Sequence, residues 1–366
     1  MTSPYQAFYT SLPIKKEKHR EALYIFSNAE RKMIERLEWK AILLSAFIGA
    51  MGVIFLYLPK QIWPALFPCQ SLQIFGEIYR TPLLFTMYGG LLALTEILVL
   101  TFVNIYYIHE TSVATGFINK GNKYDIARQN MLLNIANSKT TKANAKYGIN
   151  PLMGLSKQTI FVIFVLQKAK GALSNVFIKA LAGRLGGRFT FQLVQNMLGI
   201  PVYAFWDAWA ARGILRKTRA VIMGQNLIAD LFTHLPKPVI ATENFKMVLY
   251  ECLQYIATSK RYYHENHNLL TEKVFERYGL SINLHDKSPA NFIERLKALP
   301  ETERAICTKI MLTGWLLDES IYEREKMHIS ALHKQGITTY DLYTVRGLHK
   351  KFMAGIPIID FIRDDT

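Results

Sequence analysis

The fold of this chain is decided by an uncharged stretch of 18 residues, Ala41–Leu58, which reads AILLSAFIGAMGVIFLYL. A helix of that length is about 27 Å long, close to the thickness of about 30 Å that a membrane's hydrocarbon core has. A second apolar stretch, Thr81–Ile108, contains Glu96 as its one charged residue. We therefore predict a transmembrane helical hairpin over residues 41–108, with a short outside loop at 59–80.

Basic residues flank this hairpin on one side. Eight Lys or Arg residues precede the first span in the basic N-terminal helix expected at 1–40, and seven follow the second span between His109 and Lys157, whereas the loop holds Lys60 and Arg80. Lys and Arg near a span are retained on the cytoplasmic side. We expect a multi-pass protein of the bacterial cytoplasmic membrane with both termini in the cytoplasm.

The net charge of +16 lies entirely in the first 220 residues, because residues 221–366 contain 18 basic and 18 acidic residues. A nucleic-acid module places its basic stripe on the soluble domain, whereas binding to anionic lipid requires cations beside the apolar segments. The distribution excludes nucleic acid as a partner and predicts contact with anionic lipid.

The basic segment 109–224 contains a third apolar region, Phe189–Ala211, interrupted by Gly199 and Pro201. A crossing here would place the following cationic cluster outside. We expect amphipathic helices in the membrane interface, or a re-entrant turn at Pro201, rather than a third span. Its cations are expected to contact lipid headgroups: Lys168, Lys170, Arg184, Arg188, Arg212, Arg216, Lys217 and Arg219.

Two acidic residues lie within apolar sequence, Glu96 in the second span and Asp207 in the third region. A carboxylate in lipid costs about 2.5 to 3.5 kcal/mol on insertion scales, so such residues are often functional. One interpretation is a proton or ion site. The other is local satisfaction by hydroxyl groups, a neighbouring helix or Arg212. Gly89 and Gly90 permit two backbones to approach closely, which makes a homo-oligomer one of the expected assemblies.

Residues 225–366 predict a cytoplasmic helical domain. Thr242 is expected to cap a helix that runs through Tyr278 and ends at Gly279, and a further helix is expected from Pro300 to Leu317. Two later helix starts carry capping pairs: Ser320 with Glu323, and Thr338 with Asp341. The predicted fold class is all-α.

One stretch of this domain, Met311–Ile337, reads MLTGWLLDESIYEREKMHISALHKQGI. It resembles the tellurite-resistance TerB-like domain: an apolar helix ends in Asp318, and Glu325 follows seven residues later in the next helix. The resemblance covers Pro300–Gly355. It implies a small all-helical module that works in membrane-associated stress or envelope assemblies rather than as an enzyme.

The acidic residues Asp318, Glu319, Glu323 and Glu325 gather at one predicted helix start. They favour capping, since negative charge is stabilised at a helix N-terminus, although carboxylates at a turn can also hold a hard cation or meet a partner. His264 and His267 are spaced for a transition metal, but a solvated polar face is the preferred interpretation.

No nucleophile elbow, phosphate-binding loop or metalloprotease motif occurs, and no cofactor is expected. Cys69, Cys252 and Cys307 form no CxxC pair, which fits a reducing compartment. The leading functional hypothesis is a non-catalytic membrane-anchored scaffold or sensor whose cytoplasmic helical domain binds a protein partner. The rival hypothesis is a subunit of an ion or small-solute transporter or channel that uses Glu96 and Asp207.

Overall fold

A computed structural model gives the fold of this chain. The structure describes residues 4–13, 28–68, 70–74, 77–81, 83–118, 125–136, 146–156, 158–160, 192–236, 241–262, 264–281 and 291–358. The chain forms two compact units. The first comprises Met1–Pro13, Ile34–Thr111 and Lys157–Leu215, and the second comprises Ile14–Met33, Ser112–Ser156 and Arg216–Thr366.

The first unit is built on two long helices, α2 (Asn28–Ile62) and α3 (Leu83–Ala114), with the short α1 (Pro4–Ser11) before them. Both α2 and α3 are long and apolar enough to cross a membrane, as the sequence predicts. Their apolar stretches are mostly exposed: 22% of the most apolar window of α2 is buried, and 6% of that of α3. Neither is therefore the buried core helix of a globule.

The loop between α2 and α3 contains an antiparallel ribbon that the all-α prediction missed. Strands β1 (Gln70–Ile74) and β2 (Glu77–Thr81) pair so that Ile74 lies opposite Glu77. Ile and Tyr favour extended backbone, which explains a ribbon in this short connection. Helices otherwise make up the regular structure of the described chain, as predicted.

The helix α5 (Gln192–His234) continues through Pro201 without a break. A re-entrant turn at Pro201 is therefore wrong. Within the first unit α5 runs antiparallel to α2, because Leu215 packs with Ala41 and Asp207 lies against Gly49. Tyr107 of α3 joins the cluster of Ala41 and Leu215, so three helices share this core.

The second unit is a helical bundle. It contains α4 (Asp125–Ala136), the end of α5, α6 (Glu243–Lys260), α7 (Glu265–Tyr278), α8 (Phe292–Lys297), α9 (Glu301–Leu316), α10 (Glu323–Lys334) and α11 (Leu342–Met353). The central pair is α6 on α9, where Trp315 is fully buried and donates to Ser259 Oγ at 2.9 Å. Gly314 lets Ile256 pack directly against the α9 backbone.

The helix ends of this bundle follow local sequence signals in most places. Thr242 Oγ1 accepts from the backbone N–H of Phe245, and Gly279 ends α7 with φ 61°, both as predicted. The predicted continuous helix from Thr242 to Tyr278 is wrong, because it breaks after Lys260. Arg261 there adopts a left-handed conformation with φ 62°, and its guanidinium donates to the carbonyls of Pro151 and Met153.

Candidate docking groove and the ion cluster behind it

A buried ion cluster centred on Lys260 holds the helices of the second unit together. The Lys260 ammonium group donates to Asp318 Oδ2 at 2.5 Å and to Glu325 Oε1 at 2.8 Å. All three side chains are excluded from solvent. Buried charges are stable only when they are paired and hydrogen-bonded, and this arrangement meets both conditions.

Helix ends supply the three charges. Lys260 is the last residue of α6, Asp318 comes two residues after the end of α9, and Glu325 is the third residue of α10. A cation at a helix C-terminus and a carboxylate at an N-terminus both interact favourably with the helix dipoles. The local fold therefore places Lys260 and Glu325 where the backbone favours their sign, whereas Asp318 follows the C-terminal end of α9 and is stabilised by Lys260 instead.

Further hydrogen bonds tie two more segments to the same cluster. Tyr262 donates its hydroxyl to Asp318 Oδ2 at 2.6 Å, and His349 Nε2 of α11 donates to the backbone oxygen of Asp318 at 2.8 Å. Glu325 Oε2 accepts from the backbone N–H of Tyr322 at 2.7 Å. As a result, α6, α9, α10 and α11 are all positioned by contacts within this cluster.

The charge state of the cluster follows from burial and pairing. Burial raises the pKa of Asp318, but attraction to Lys260 and His264 and hydrogen bonds from Lys260 and Tyr262 outweigh it and bring the pKa to about 2. Burial alone would lower the pKa of Lys260, yet the two carboxylates raise it overall. For Glu325 burial prevails, so its pKa is raised despite Lys260. Asp318 and Lys260 thus form the firmly ionised pair at neutral pH.

The two histidines beside this cluster are buried, so a solvated polar face at 264–267 is wrong. His264 Nδ1 accepts from the backbone N–H of Asn266 at 3.3 Å and so caps α7. Burial lowers the pKa of His264, although Asp318 opposes the shift, and burial lowers the pKa of His267 to about 3. Both imidazoles are therefore neutral in the folded bundle at neutral pH.

The structure separates the four acidic residues predicted as one group. Asp318 and Glu325 share Lys260, whereas Glu319 accepts from the Tyr322 hydroxyl at 2.9 Å and Glu323 is exposed beside Lys326. Within the described part of the chain, no three His, Cys, Asp or Glu side chains are grouped to hold a metal ion.

The capping pairs are also displaced from the predicted residues. The cap of α10 is Tyr322 with Glu325 rather than Ser320 with Glu323. For α11, Asp341 itself is the N-cap, and its carboxylate accepts from the backbone N–H of Thr344 at 2.8 Å.

The outward sides of α10 and α11 form an open groove of about 430 Å³. Ile329 and Leu332 of α10 are buried against the bundle, and the opposite side of the helix faces the groove. Apolar Met327 and Leu342 line it together with three cations, Lys326, Lys334 and Arg346, and one carboxylate, Glu323. Met327 is 63% exposed, so an apolar surface with net positive charge is open to a ligand.

The predicted lipid-contacting cations divide into two groups. Lys168, Lys170, Arg184 and Arg188 lie outside the described residues. Of the others, Arg212 is exposed and Lys217 half-buried, while Arg216 donates to the backbone oxygen of Glu319 at 2.8 Å and Arg219 donates to that of Met353 at 3.3 Å. Arg216 and Arg219 therefore also bind the bundle, a role that the charge pattern did not indicate.

The two acids of the apolar stretches, Glu96 and Asp207, are both buried and both reach the same stretch of α2, close to Gly52 and Gly49. Sequence reasoning singled out each residue but could not bring them together.

Comparisons with protein-family models, with curated proteins and with solved structures gave no match to this chain. The resemblance of Pro300–Gly355 to the TerB-like domain accordingly stays a prediction, and function has to be argued from the geometry.

Proposed function

We propose that this protein is a non-catalytic, membrane-anchored scaffold of the cytoplasmic membrane, whose cytoplasmic bundle docks an acidic segment of a protein partner in the groove between α10 and α11. The observation that carries the proposal is the combination of Met327 with Lys326, Lys334 and Arg346 in one open groove. The excess of Lys and Arg beside the two apolar helices supports a cytoplasmic location of both termini.

The membrane anchor is supported by the surface of α2 and α3. Large apolar side chains are exposed along α3, including Met87 at 65%, Leu91 at 66% and Leu94 at 62%. Contiguous apolar surface of this extent marks a membrane or protein interface. The length and composition of both helices fit a bilayer.

The choice of an acidic peptide follows from the chemistry of the groove. Cations steer a negatively charged partner and fix its orientation, while buried apolar anchors supply most of the affinity. Met is common at surfaces that bind helices because its side chain adapts to different partners. A headgroup of anionic lipid would use the cations but would leave Met327 and Leu342 without an apolar partner.

The proposal is tested by placing a photo-crosslinking amino acid at Met327 in the full-length protein in cells, with the same residue at Lys297 as control. Lys297 is exposed on α8 of the same bundle, away from the groove. We expect adducts from position 327 that map to an acidic protein segment, and none of these from position 297.

The double substitution Lys334→Glu and Arg346→Glu should reduce those adducts at least about tenfold, because it reverses the sign of the groove. Reversing the charges of the crosslinked segment should restore them. Adducts of lipid alone, or protein adducts that ignore both charge reversals, would reject the proposal.

A further inference from the structure

The helix α5 follows α2 along almost all of its uncharged stretch. Leu215 of α5 shares a core cluster with Ala41 of α2, and a Cβ atom at Gly49 would lie 2.9 Å from the backbone oxygen of Tyr203. The phenol of Tyr203 also interacts electrostatically with Tyr57 of α2. These contacts extend over a length of about 24 Å along α2. The two helices therefore lie side by side, in opposite directions, throughout the stretch that decides the fold.

The outward side of this part of α5 is more apolar than its packed side. Asp207 and Ala211 are buried, whereas Val202, Phe205 and Trp209 are 39%, 56% and 58% exposed. These three side chains are three and four residues apart, so they form one apolar stripe along the helix. A helix surrounded by water has the opposite arrangement, with its polar side chains outside. A carboxylate turned inward and aromatic rings turned outward are typical of a helix surrounded by lipid.

The apolar stripe lies at the same level as exposed apolar side chains of α2. Ala41 packs in one cluster with Leu215, and the rise per residue is equal in the two helices, so Trp209 lies level with Phe47. Phe205 lies one turn further along, near the midpoint of the uncharged stretch. Phe47 is 60% exposed, close to the value for Trp209. Both helices therefore present large aromatic side chains to their surroundings at the same level.

The direction of α5 removes the objection that its cationic cluster raised against a crossing. A helix in the membrane interface lies in the membrane plane, whereas α5 follows the axis of α2. Because α5 runs antiparallel to α2, the cluster begins at Arg212 on the side of Lys40, where cations are retained. The helix α3 also ends on this side, since Tyr107 belongs to the cluster of Ala41, so the chain returns to the other end before Gln192.

We infer that α5 crosses the membrane beside α2 and that its apolar stripe, formed by Val202, Phe205 and Trp209, binds the acyl chains of the bilayer. The inference rests on the membrane anchor of the proposed function, because α5 takes its depth from α2. Among the described helices, α2 and α3 are the ones that length and composition mark as possible spans. The lipid-binding surface of α5 therefore follows from its packing and not from its hydropathy.

Spin labels on single introduced cysteines measure the depth of each helix directly. The full-length protein is reconstituted into vesicles of phosphatidylcholine and phosphatidylglycerol, in a background with Cys69→Ser, and the buried Cys252 and Cys307 are shielded from the label. Oxygen concentrates among the acyl chains, whereas a nickel chelate stays in water. The ratio of the collision rates of a label with these two reagents therefore gives its depth in the bilayer.

We expect labels at Phe205→Cys and Trp209→Cys to lie among the acyl chains. Their collision rate with the chelate should be at least about tenfold lower than that of a label at Tyr343→Cys, an 86% exposed position on α11. The matched reference is Phe47→Cys on α2. Labels at 205 and 209 should lie within about 5 Å of its depth, because the three positions are within about one turn of each other along the paired helices.

Two results would overturn the inference and leave the membrane anchor intact. One is a deep label at position 47 with labels at 205 and 209 in water or at the headgroups, as for an interface helix. The other is a label at 205 that neither reagent reaches, which would place the stripe against protein. A label at 47 in water would instead reject the membrane anchor itself, and the inference with it. Circular dichroism of each variant, and a second stripe position at Val202→Cys, keep the comparison between folded proteins.

Discussion

The ammonium nitrogen of Lys260 lies 2.5 Å from Oδ2 of Asp318, and neither side chain is exposed to solvent. Desolvation of each buried ion costs several kcal/mol, which the mutual attraction and additional hydrogen bonds offset. The pair joins the end of α6 to the end of α9, and Glu325 extends it to α10. The geometry of the groove therefore depends on charges that no ligand in the groove contacts.

Replacing Lys260 by Met should destabilise the bundle by about 3 to 5 kcal/mol, because Asp318 and Glu325 would stay buried without their cation. A urea titration of the detergent-solubilised full-length protein, followed by tryptophan fluorescence, measures the loss. The matched control is Lys246→Met in the same helix, whose partner Glu243 is largely exposed. That surface pair should contribute about 0 to 1 kcal/mol. Equal effects of the two substitutions would refute the structural role of the cluster.

The stability of the bundle should fall as the pH is lowered below about 6.5. Burial lowers the pKa of His267 to about 3 from an ordinary value of 6.5, so below pH 6.5 the unfolded chain binds a proton that the folded chain does not. This costs up to about 1.4 kcal/mol per pH unit for that group. Asp318, whose pKa is lowered to about 2, adds a second loss of stability as the pH falls from about 4 to about 2. The raised pKa of Glu325 has the opposite effect, because the folded chain binds a proton more readily there than the unfolded chain does at pH values above the ordinary pKa of Glu.

Urea midpoints at pH 7.5, 6.5, 5.5 and 4.5 measure this dependence, and His267→Asn should make it shallower. If the urea midpoint falls between pH 6.5 and 4.5 by the same amount in the variant as in the wild type, His267 is not the group that causes the pH dependence.

Gly224→Ala should destabilise the bundle by about 1 to 3 kcal/mol. A Cβ atom at Gly224 would overlap with the amide of Asn266, which donates to the backbone oxygens of Ala220 at 2.8 Å and Leu317 at 2.9 Å. Displacing that amide would leave buried carbonyls of α5 and α9 unsatisfied.

The control on the same helix is Gly213→Ala, where a Cβ meets nothing within 4 Å. It should be neutral or stabilising by up to about 1 kcal/mol, because Ala favours helix over Gly. Thermal unfolding followed by circular dichroism distinguishes the two, and a stabilising Gly224→Ala would show that the close approach is absent.

The orientation of α5 gives a topology prediction. Because α5 runs antiparallel to α2, the cationic part of α5 that begins at Arg212 lies at the same end of the first unit as Lys40, the basic start of the predicted first span. A cysteine at the exposed Arg212 should then react with an impermeant maleimide only after intact cells are permeabilised, and so should one at Tyr343, which is 86% exposed. Cys69 should react in intact cells.

Labelling of Arg212→Cys in intact cells would place that end outside and overturn the assignment. The native Cys252 and Cys307 cannot report on topology, because both are buried within the bundle.

Local signals predicted much of the fold. Thr242, Gly279 and Pro300 each act through their own backbone or side chain within a few residues, so their roles are visible in the sequence. The break after Lys260 was not predictable in this way, because Arg261 adopts a left-handed conformation that neither Gly nor Asn marks. Pro201 in α5 predicted a break that does not occur, since packing of the helix overrides the local preference of proline.

The candidate site was predicted only in part, because its partners are distant in sequence. Asp318 and Glu325 were singled out by the TerB-like resemblance, but their partner Lys260 is 58 and 65 residues away, and no period or spacing links it to them. The groove cations gave no signal either, since Lys334 and Arg346 come together only when α10 and α11 pack.

Arg261 shows how a locally unfavourable residue can be the better choice for a whole protein. A survey for thermostabilising changes would select Arg261→Gly, since glycine adopts φ 62° at little cost. The exchange would also release the carbonyls of Pro151 and Met153, which the guanidinium holds. A gain in melting temperature from Arg261→Gly would then be accompanied by faster proteolytic cleavage near residue 152. The less strained backbone at position 261 would leave the loop around residue 152 less protected.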